Sequence, residues 1–480
     1  MVEVDFLYES YRRLVGFEIY IYLCIVNNNT MIQKVVISNF YSIREPLEVS
    51  FEASKEKQYS EDWIVQIGNT RLLKALLLYG ANGSGKTNIL YALDFLRHTV
   101  LNVPMGVDEE IPYMRFALDP SCDNADTTFD LYFFIGSVRY RYIISLSPIH
   151  ISQEELRIYH NGNSSKAVYT RKYNCEKGVN VVRFGSWLNL PSKDRKTIEE
   201  STTNNITVLS AFASKNLSCT ELAKVRDYFK YNFFRLCYMQ GASQEIFGTL
   251  KNDPKLKVLL VDMIRAFHSN IIDIRVDEEV RQIPEETRQI LMQLKPSEKE
   301  REQIERMQTM TTLTGQFIHK TDLGEFALED KLQSEGIMSF IRCLVLLYEA
   351  VQKNKLVALD EFGIGLQAKI QHLLLDFFLR FSRNSQIIIA SQSLGLLDFQ
   401  RMRRDAIMIV SKDNMGQSKL DSITVRNIHK NIKLRKAYID GRFKSIDPNE
   451  PDIDLANEYA KYHSLIFGSK MEGGENGINT

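Results

Sequence analysis

Residues 72–79 form an apolar run that ends in a glycine-rich turn. The periodicity then changes, with Ile89, Leu90, Leu93, Leu96 and Val100 recurring at helical spacing. The first pattern predicts a buried strand and the second a helix with one apolar face. Upstream, residues 33–37 and 47–51 read as two strands joined by a polar turn around Asn39-Phe40-Tyr41-Ser42. Residues 127–146 read as a hairpin turning at Gly136-Ser137. On its return strand Arg139 and Arg141 share one face and Val138, Tyr140 and Tyr142 the other, so the arginines form a solvated side beside a packed one.

From about 195 to 268 the pattern is helical, with Leu222, Val225, Tyr228 and Phe229 as one stripe. A short strand is expected at 271–276. Over 278–306 charges of both signs and two prolines, Pro284 and Pro296, replace the apolar pattern, which predicts an exposed, projecting helical hairpin. Ordered character returns after Gly315, with helices at 338–351 and 370–381 and strands at 355–360, 386–390 and 406–410. Apolar strands alternating with helices describe an α/β fold, a mainly parallel sheet covered on both faces.

Composition narrows this little. A chain of 480 residues exceeds what one core usually serves, and 44% hydrophobic with 25% charged residues is ordinary for a globular protein. The formal net charge is zero, so no global field points to nucleic acid or membrane. The six cysteines, at 24, 122, 175, 219, 237 and 343, show no paired spacing, which argues against zinc and disulfides and for a reducing cytoplasm. The apolar stretch 17–26 is too short to span a membrane and lacks a cleavage site, so no membrane association is expected. Met31 opens a cleaner segment and is the expected functional start, with 1–30 an upstream extension and 468–480 a disordered tail.

The chemistry begins at Gly80-Ala81-Asn82-Gly83-Ser84-Gly85-Lys86-Thr87, which fits G-x-x-x-x-G-K-[ST], the phosphate-binding loop. Strand, glycine turn and helix N-terminus aim backbone N–H groups at one spot, which suits polyphosphate. Gly80, Asn82, Gly83, Ser84, Gly85, Lys86, Thr87 and Asn88 are therefore the candidate nucleotide-binding residues, with ATP as the expected ligand. Lys86 is expected to reach the outer phosphates and the Thr87 hydroxyl to take a Mg²⁺ position. Some 270 residues downstream, an apolar strand ends in Asp360-Glu361. Asp360 is the expected second metal contact, and Glu361 the group that orients and deprotonates the attacking water. That separation implies one ATPase core, 31–165 and 311–467, divided by a mostly helical insertion at 166–310.

Between the halves stands Ser334-Glu335-Gly336, and after the strand 386–390 comes Ser391-Gln392-Ser393. With 31–40, Phe51, the Gly80–Thr87 loop and Leu359-Asp360-Glu361, these stretches resemble the ABC/SMC-like P-loop ATPases. They resemble more closely the ATP-binding proteins of the overcoming-lysogenisation-defect group, many of which sit in phage-defence operons. The run 431–443 is similar to the tail of a single-domain subset without a nuclease domain. The resemblance covers about 31–165 and 310–445. It implies a mixed sheet covered by helices, and a homodimer or higher homo-oligomer with ATP sandwiched between subunits. Ser334 and Gly336 of one subunit would then meet the γ-phosphate held by Lys86 of the other. Taken alone, Ser-Glu-Gly could simply cap a helix.

Two departures bear on catalysis. Gln392 stands where the family usually has a switch histidine, and Gln367 follows Leu366 where histidine is common. Glutamine hydrogen-bonds but neither accepts a proton nor carries charge. Slow hydrolysis is therefore expected, with Glu361, Lys86 and Gln392 as the catalytic set. Residues 401–444 carry twelve Lys/Arg against four Asp/Glu, a local +8 that makes the segment a candidate nucleic-acid contact. No second acidic metal motif follows Ser393, so any nuclease work would belong to a separate effector protein. The expectation is an ATP-driven sensor or scaffold in antiviral defence; the alternative is a DNA-repair or chromosome-maintenance clamp.

Overall fold

The computed structural model describes residues 30–442, apart from 105, 107–108, 160–163, 238–242, 267–269, 283–284, 294–300, 302–308, 427–431 and 441. The expected tail at 468–480 and all but Thr30 of the expected extension lie outside the described residues. The first strands are β1 (Thr30–Ser38), β2 (Leu47–Ser50), β3 (Ile64–Ile67), β4 (Thr70–Leu73) and β5 (Ala75–Tyr79). An antiparallel series follows: β6 (Thr127–Ile135), β7 (Val138–Leu146), β8 (Ile151–Tyr159), β9 (Ser165–Asn174) and β10 (Val179–Phe184). Then come β11 (Arg235–Cys237), β12 (Ile271–Gln282), β13 (Thr309–Thr321) and β14 (Gly324–Glu329). Last are β15 (Leu356–Leu359), β16 (Gln386–Ala390), β17 (Ile407–Lys412) and β18 (Ser418–Ser422). Three helices matter for the site: α1 (Lys86–Leu101), α2 (Glu335–Lys353) and α3 (Ala368–Phe381).

Two sheets carry the core. One runs β11-β15-β16-β5-β17-β18, parallel except for the antiparallel edge strand β18. Every residue of β5, β15 and β16 is buried, as strands covered on both faces must be. The other sheet runs β10-β9-β8-β7-β6-β1-β2 and is antiparallel throughout. A bulge between Ile32 and Lys34 breaks the β1–β6 register. The buried Gln386 side chain serves the backbone of Ile32 there, accepting from its N–H (2.6 Å) and donating to its carbonyl (3.0 Å). One amide thus ties the first strand to the parallel sheet.

Several expectations change. The predicted strand at 72–79 is two strands, because the chain redirects at Lys74. Its ammonium is buried and donates to the carbonyls of Leu379 (3.0 Å) and Ser382 (2.7 Å), at the end of α3. Burial pushes its pKa down to about 8, against the pull of Asp62. Residues 166–310, expected to be mostly helical, contain helices between Ser192 and Gln293 but also the strands β10, β11 and β12, and β9 and β10 extend the antiparallel sheet across the 165/166 boundary. The helical hairpin expected over 278–306 also begins as strand, since β12 runs to Gln282 before a helix at Glu285–Gln293.

Strands β8 and β9 escaped the hydrophobic pattern because each places a charged residue inward. Glu154 and Arg171 are wholly buried. Glu154 accepts from the Tyr142 hydroxyl (3.0 Å), the Tyr169 hydroxyl (2.6 Å) and the Val208 N–H (2.9 Å). Arg171 lies 3.5 Å from it and donates to the carbonyls of Ile206 (2.5 Å) and Thr203 (2.7 Å), pinning the 203–208 segment to the sheet. Removing one partner strands the other charge in an apolar core. Glu154→Ala is expected to cost about 3–5 kcal/mol, read as a lowered urea midpoint. The pair replacement Glu154→Leu with Arg171→Met should cost less than Glu154→Ala alone.

Candidate nucleotide-binding site

β5 delivers its C-terminal end, Tyr79, straight into the glycine loop, and α1 begins at Lys86. Gly83 and Gly85 take positive φ (76° and 108°), the conformations that wrap the loop around a concavity. Lys86 is buried, and its ammonium donates to the carbonyls of Gly80 (2.8 Å) and Ala81 (2.9 Å). Burial lowers its pKa below the ordinary lysine value, with Asp360 pulling the other way. A cation held by carbonyls alone in a partly dry site is short of an anion.

The strand order β15-β16-β5 brings Asp360, just beyond β15, to the same end of the sheet. The Thr87 hydroxyl donates to Asp360 Oδ2 at 2.8 Å, across 273 residues of sequence. Asp360 Oδ1 accepts from the Glu361 N–H at 3.0 Å. Two adjacent oxygens suit a hard cation that takes its other ligands from phosphate and water. Among the described residues no cluster of three or more His, Cys, Asp or Glu could form an all-protein metal cage. The donor set therefore fits Mg²⁺ bound with a nucleotide.

A cleft of about 770 Å³ opens here, walled by Asn82, Gly83, Gly85, Lys86, Thr87, Asn88, Asp360, Glu361 and Gln392 among others. Gly80 and Ser84 lie behind the wall. Glu361 is exposed to the cleft, on a left-handed backbone (φ 57°) that a non-glycine residue adopts only under constraint. Gln392 follows β16 and is exposed to the same space. Its neighbour Ser391 locks the strand ends together, its hydroxyl donating to the Phe362 carbonyl (2.6 Å) and its N–H to that of Leu78 (3.1 Å).

Ser334 and Gly336 do not line this cleft. Ser334 caps α2, its hydroxyl accepting from the Ile337 N–H at 3.3 Å. Gly336 packs so tightly on the loop after Glu361 that a Cβ there would lie 2.9 Å from the Gly365 carbonyl oxygen. A residue missed in the sequence holds that loop. Buried Gln371 donates to the carbonyls of Leu366 (2.8 Å) and Gly363 (3.3 Å). Its signal was a polar residue on an apolar stripe, since Gln371, Leu374, Leu375 and Phe378 share one buried face of α3.

The basic segment is largely occupied with internal contacts. Arg403 pairs with Asp405 at 2.6 Å and is fully buried, Arg401 pairs with Asp62 (2.6 Å) and with Asp376, and Arg435 pairs with Asp398 at 3.0 Å. Arg404 donates to the Ile432 carbonyl at 2.8 Å. Lys430 and the ends of the 431–443 run lie outside the described residues.

Residues 76–213 and 239–398 match the family described as "AAA domain, putative AbiEii toxin, Type IV TA system". These two stretches make up more than half of the chain. The chain belongs to this AAA family. Its members are nucleotide-binding ATPases of the P-loop class, and the matched stretches contain the glycine loop, Ser334-Glu335-Gly336, Asp360-Glu361 and Gln392. No match was found among curated proteins. Among solved structures, the SMC head domain from Thermotoga maritima aligns at 12% identity over 82% of this chain and 98% of its own, with a TM-score of 0.37. An Smc head domain with an extended coiled coil, bound to the C-terminal domain of ScpA derived from Pyrococcus furiosus, aligns at 12% identity. That alignment covers 86% of this chain and 98% of the other, with a TM-score of 0.34. Among the described residues of this AAA protein, no helix is long and apolar enough to cross a membrane.

Lys86 provides a titration test. A bound triphosphate favours its ammonium form, so binding should raise the depressed pKa toward or above 10.5. Between the free and bound values, binding takes up a proton and affinity falls as pH rises. Calorimetry of MgATP binding in buffers of different ionisation heat should show proton uptake growing on the alkaline side, and none in Lys86→Met.

Proposed function

We propose that this AAA protein is an ATP-binding, slowly ATP-hydrolysing switch that closes into a homodimer, or a higher homo-oligomer, around its nucleotides. The observation that carries this reading is the division of the site. Lys86, Thr87, Asp360, Glu361 and Gln392 share one cleft, while Ser334 and Gly336 stay outside it at the start of α2, where Ser334 and Glu335 are exposed and Gly336 is partly so. A helix start of this kind suits a γ-phosphate, and a second copy can bring one to the other. In the closed state Lys86 holds the outer phosphates, Thr87 and Asp360 hold Mg²⁺, and Glu361 takes the proton of the attacking water. Gln392 orients the γ-phosphate or that water and cannot relay a proton, which keeps turnover slow.

The same geometry suits a sensor or scaffold whose ATP state is long-lived and which hands its output to a separate effector protein. The family description, with its type IV toxin–antitoxin system, supports a role in antiviral defence of the kind the overcoming-lysogenisation-defect resemblance implies. The DNA-clamp alternative gains little from residues 401–444, whose paired arginines leave less free charge for phosphate than the sequence count implied.

Glu361→Gln is expected to accumulate a dimer or larger assembly in MgATP, measured by sedimentation. Lys86→Ala should abolish that assembly, and Ser334→Arg should block it while leaving ATP binding to the monomer intact. Wild-type turnover is expected below about 10 per second, a typical enzyme median. A Glu361→Gln protein that stays monomeric in saturating MgATP refutes the switch.

A further inference from the structure

At the phosphate loop three side chains and one backbone carbonyl, from three distant parts of the chain, form a hydrogen-bonded series that starts at Asn88 on the cleft wall and leads to Ser42 and Ser418, which do not line the cleft. Asn88 Nδ2 donates to Ser42 Oγ at 2.7 Å, Ser42 Oγ and Ser418 Oγ are 2.7 Å apart, and Ser418 Oγ donates to the Ser84 carbonyl at 2.7 Å. Ser42 and Ser418 are both buried. A hydroxyl has one proton to give, and counting protons fixes the direction of the chain. Ser418 spends its proton on the Ser84 carbonyl, so Ser42 must donate to Ser418, and Asn88 must present its NH₂ to Ser42. The order is Asn88 N–H to Ser42 O–H to Ser418 O–H to Ser84 C=O, and no proton is left over.

Both supports are rigid. Ser42 lies in the β1–β2 turn, where the Asn39 side chain donates to the carbonyls of Ala125 (2.6 Å) and Cys122 (3.2 Å) and accepts from the Phe116 N–H (3.0 Å). Ser418 opens edge strand β18. Its own N–H donates to the Ser42 carbonyl at 2.7 Å, and the turn before it is gathered by Asp413, which accepts from Met415 and Gln417. Gly85 lets this chain reach the loop: a Cβ there would lie 2.0 Å from Ser418 Oγ and 2.7 Å from Ser42 Oγ.

The chain ends on the peptide that joins Ser84 to Gly85. In a trans peptide the N–H points opposite to the C=O, so Ser418, which lies off the cleft and holds the Ser84 carbonyl, aims the N–H of cleft-lining Gly85 away from itself. It also polarises the peptide, making that N–H a better donor to an anion. We propose that Ser418 and Ser42 are positioning residues for the phosphate site, setting the plane and donor strength of the Ser84–Gly85 peptide through a one-way hydroxyl chain. The proposal rests on the nucleotide-binding reading of the cleft, and it extends the site to the β1–β2 turn and the edge strand β18, whose Ser42 and Ser418 do not line the cleft.

The test is MgATP binding and steady-state hydrolysis by the full chain, for wild type, Ser418→Ala, Ser42→Ala and their double variant, with Lys86→Ala as control. A lost hydrogen bond of ordinary worth predicts up to about tenfold weaker binding and a similarly raised KM, with kcat within about twofold. The double variant should bind no more than about twofold worse than either single one, because one break already interrupts the chain. Ser42→Thr, which keeps the hydroxyl, should restore affinity to within about threefold of wild type and covers the case in which an alanine variant fails to fold. Alanine variants that bind MgATP like wild type while Lys86→Ala does not overturn the proposal and leave the nucleotide reading standing. Variants with an unchanged KM and a lower kcat that tracks lost folded protein also overturn it, since that is a purely structural role. A wild-type protein that fails to bind MgATP overturns both.

Discussion

Two oxygen atoms, Thr87 Oγ1 and Asp360 Oδ2, must lie 2.8 Å apart for this site to exist. Neither residue can move far, because each stands within a residue or so of a fully buried parallel strand or at the head of a helix that packs on one. The contact is therefore a property of the strand order. β16 separates β15 from β5, and the Ser391 backbone and hydroxyl bridge both neighbours, so that three strand ends behave as one platform. The cleft, the exposure of Glu361 and Gln392, and the bracing of the following loop by Gln371 all follow from that platform.

Among the buried cations, Arg171 and Lys86 have contrasting surroundings. Arg171 is surrounded by carbonyls and faces Glu154, and its charge is satisfied within the fold. Lys86 has carbonyls only, with Asp360 acting at longer range, and its protonated form is disfavoured. The first arrangement stabilises a structure and the second stores an unmet preference for an anion. Lys74 is also held by carbonyls alone, so what sets Lys86 apart is that its side chain borders the open cleft, where an anion can reach it. Arg403 falls on the side of support: it is as buried as Arg171 and paired with Asp405.

Much of the site was legible in the chain because its parts are local. The loop Gly80–Thr87 needs only a strand before it and a helix after it, and both were visible as periodicities. Asp360-Glu361 stood out as acids ending an apolar run. What stayed hidden were polar residues inside apolar elements. Glu154 and Arg171 disguised two strands, Lys74 split one strand into two, and Gln371 and Gln386 serve backbone groups of other segments. Local pattern reading treats a polar residue as a surface residue, and these five are buried, with partners on other elements or, for Gln371, in the loop before its own helix.

The residues themselves determined that a G-x-x-x-x-G-K-T loop joins a strand to a helix, that Asp360 and Glu361 end another apolar strand, and that a glutamine, Gln392, follows a third. Tertiary structure decided how those parts face one another. It set Thr87 against Asp360, kept Ser334 and Gly336 out of their own cleft, and ran a hydroxyl chain from Asn88 through Ser42 and Ser418 to the Ser84 carbonyl. The physical reason is range. A turn, a cap or a helix face is encoded within a few neighbours, whereas hydrogen bonds between residues more than three hundred positions apart depend on strand order and register, which no local pattern specifies.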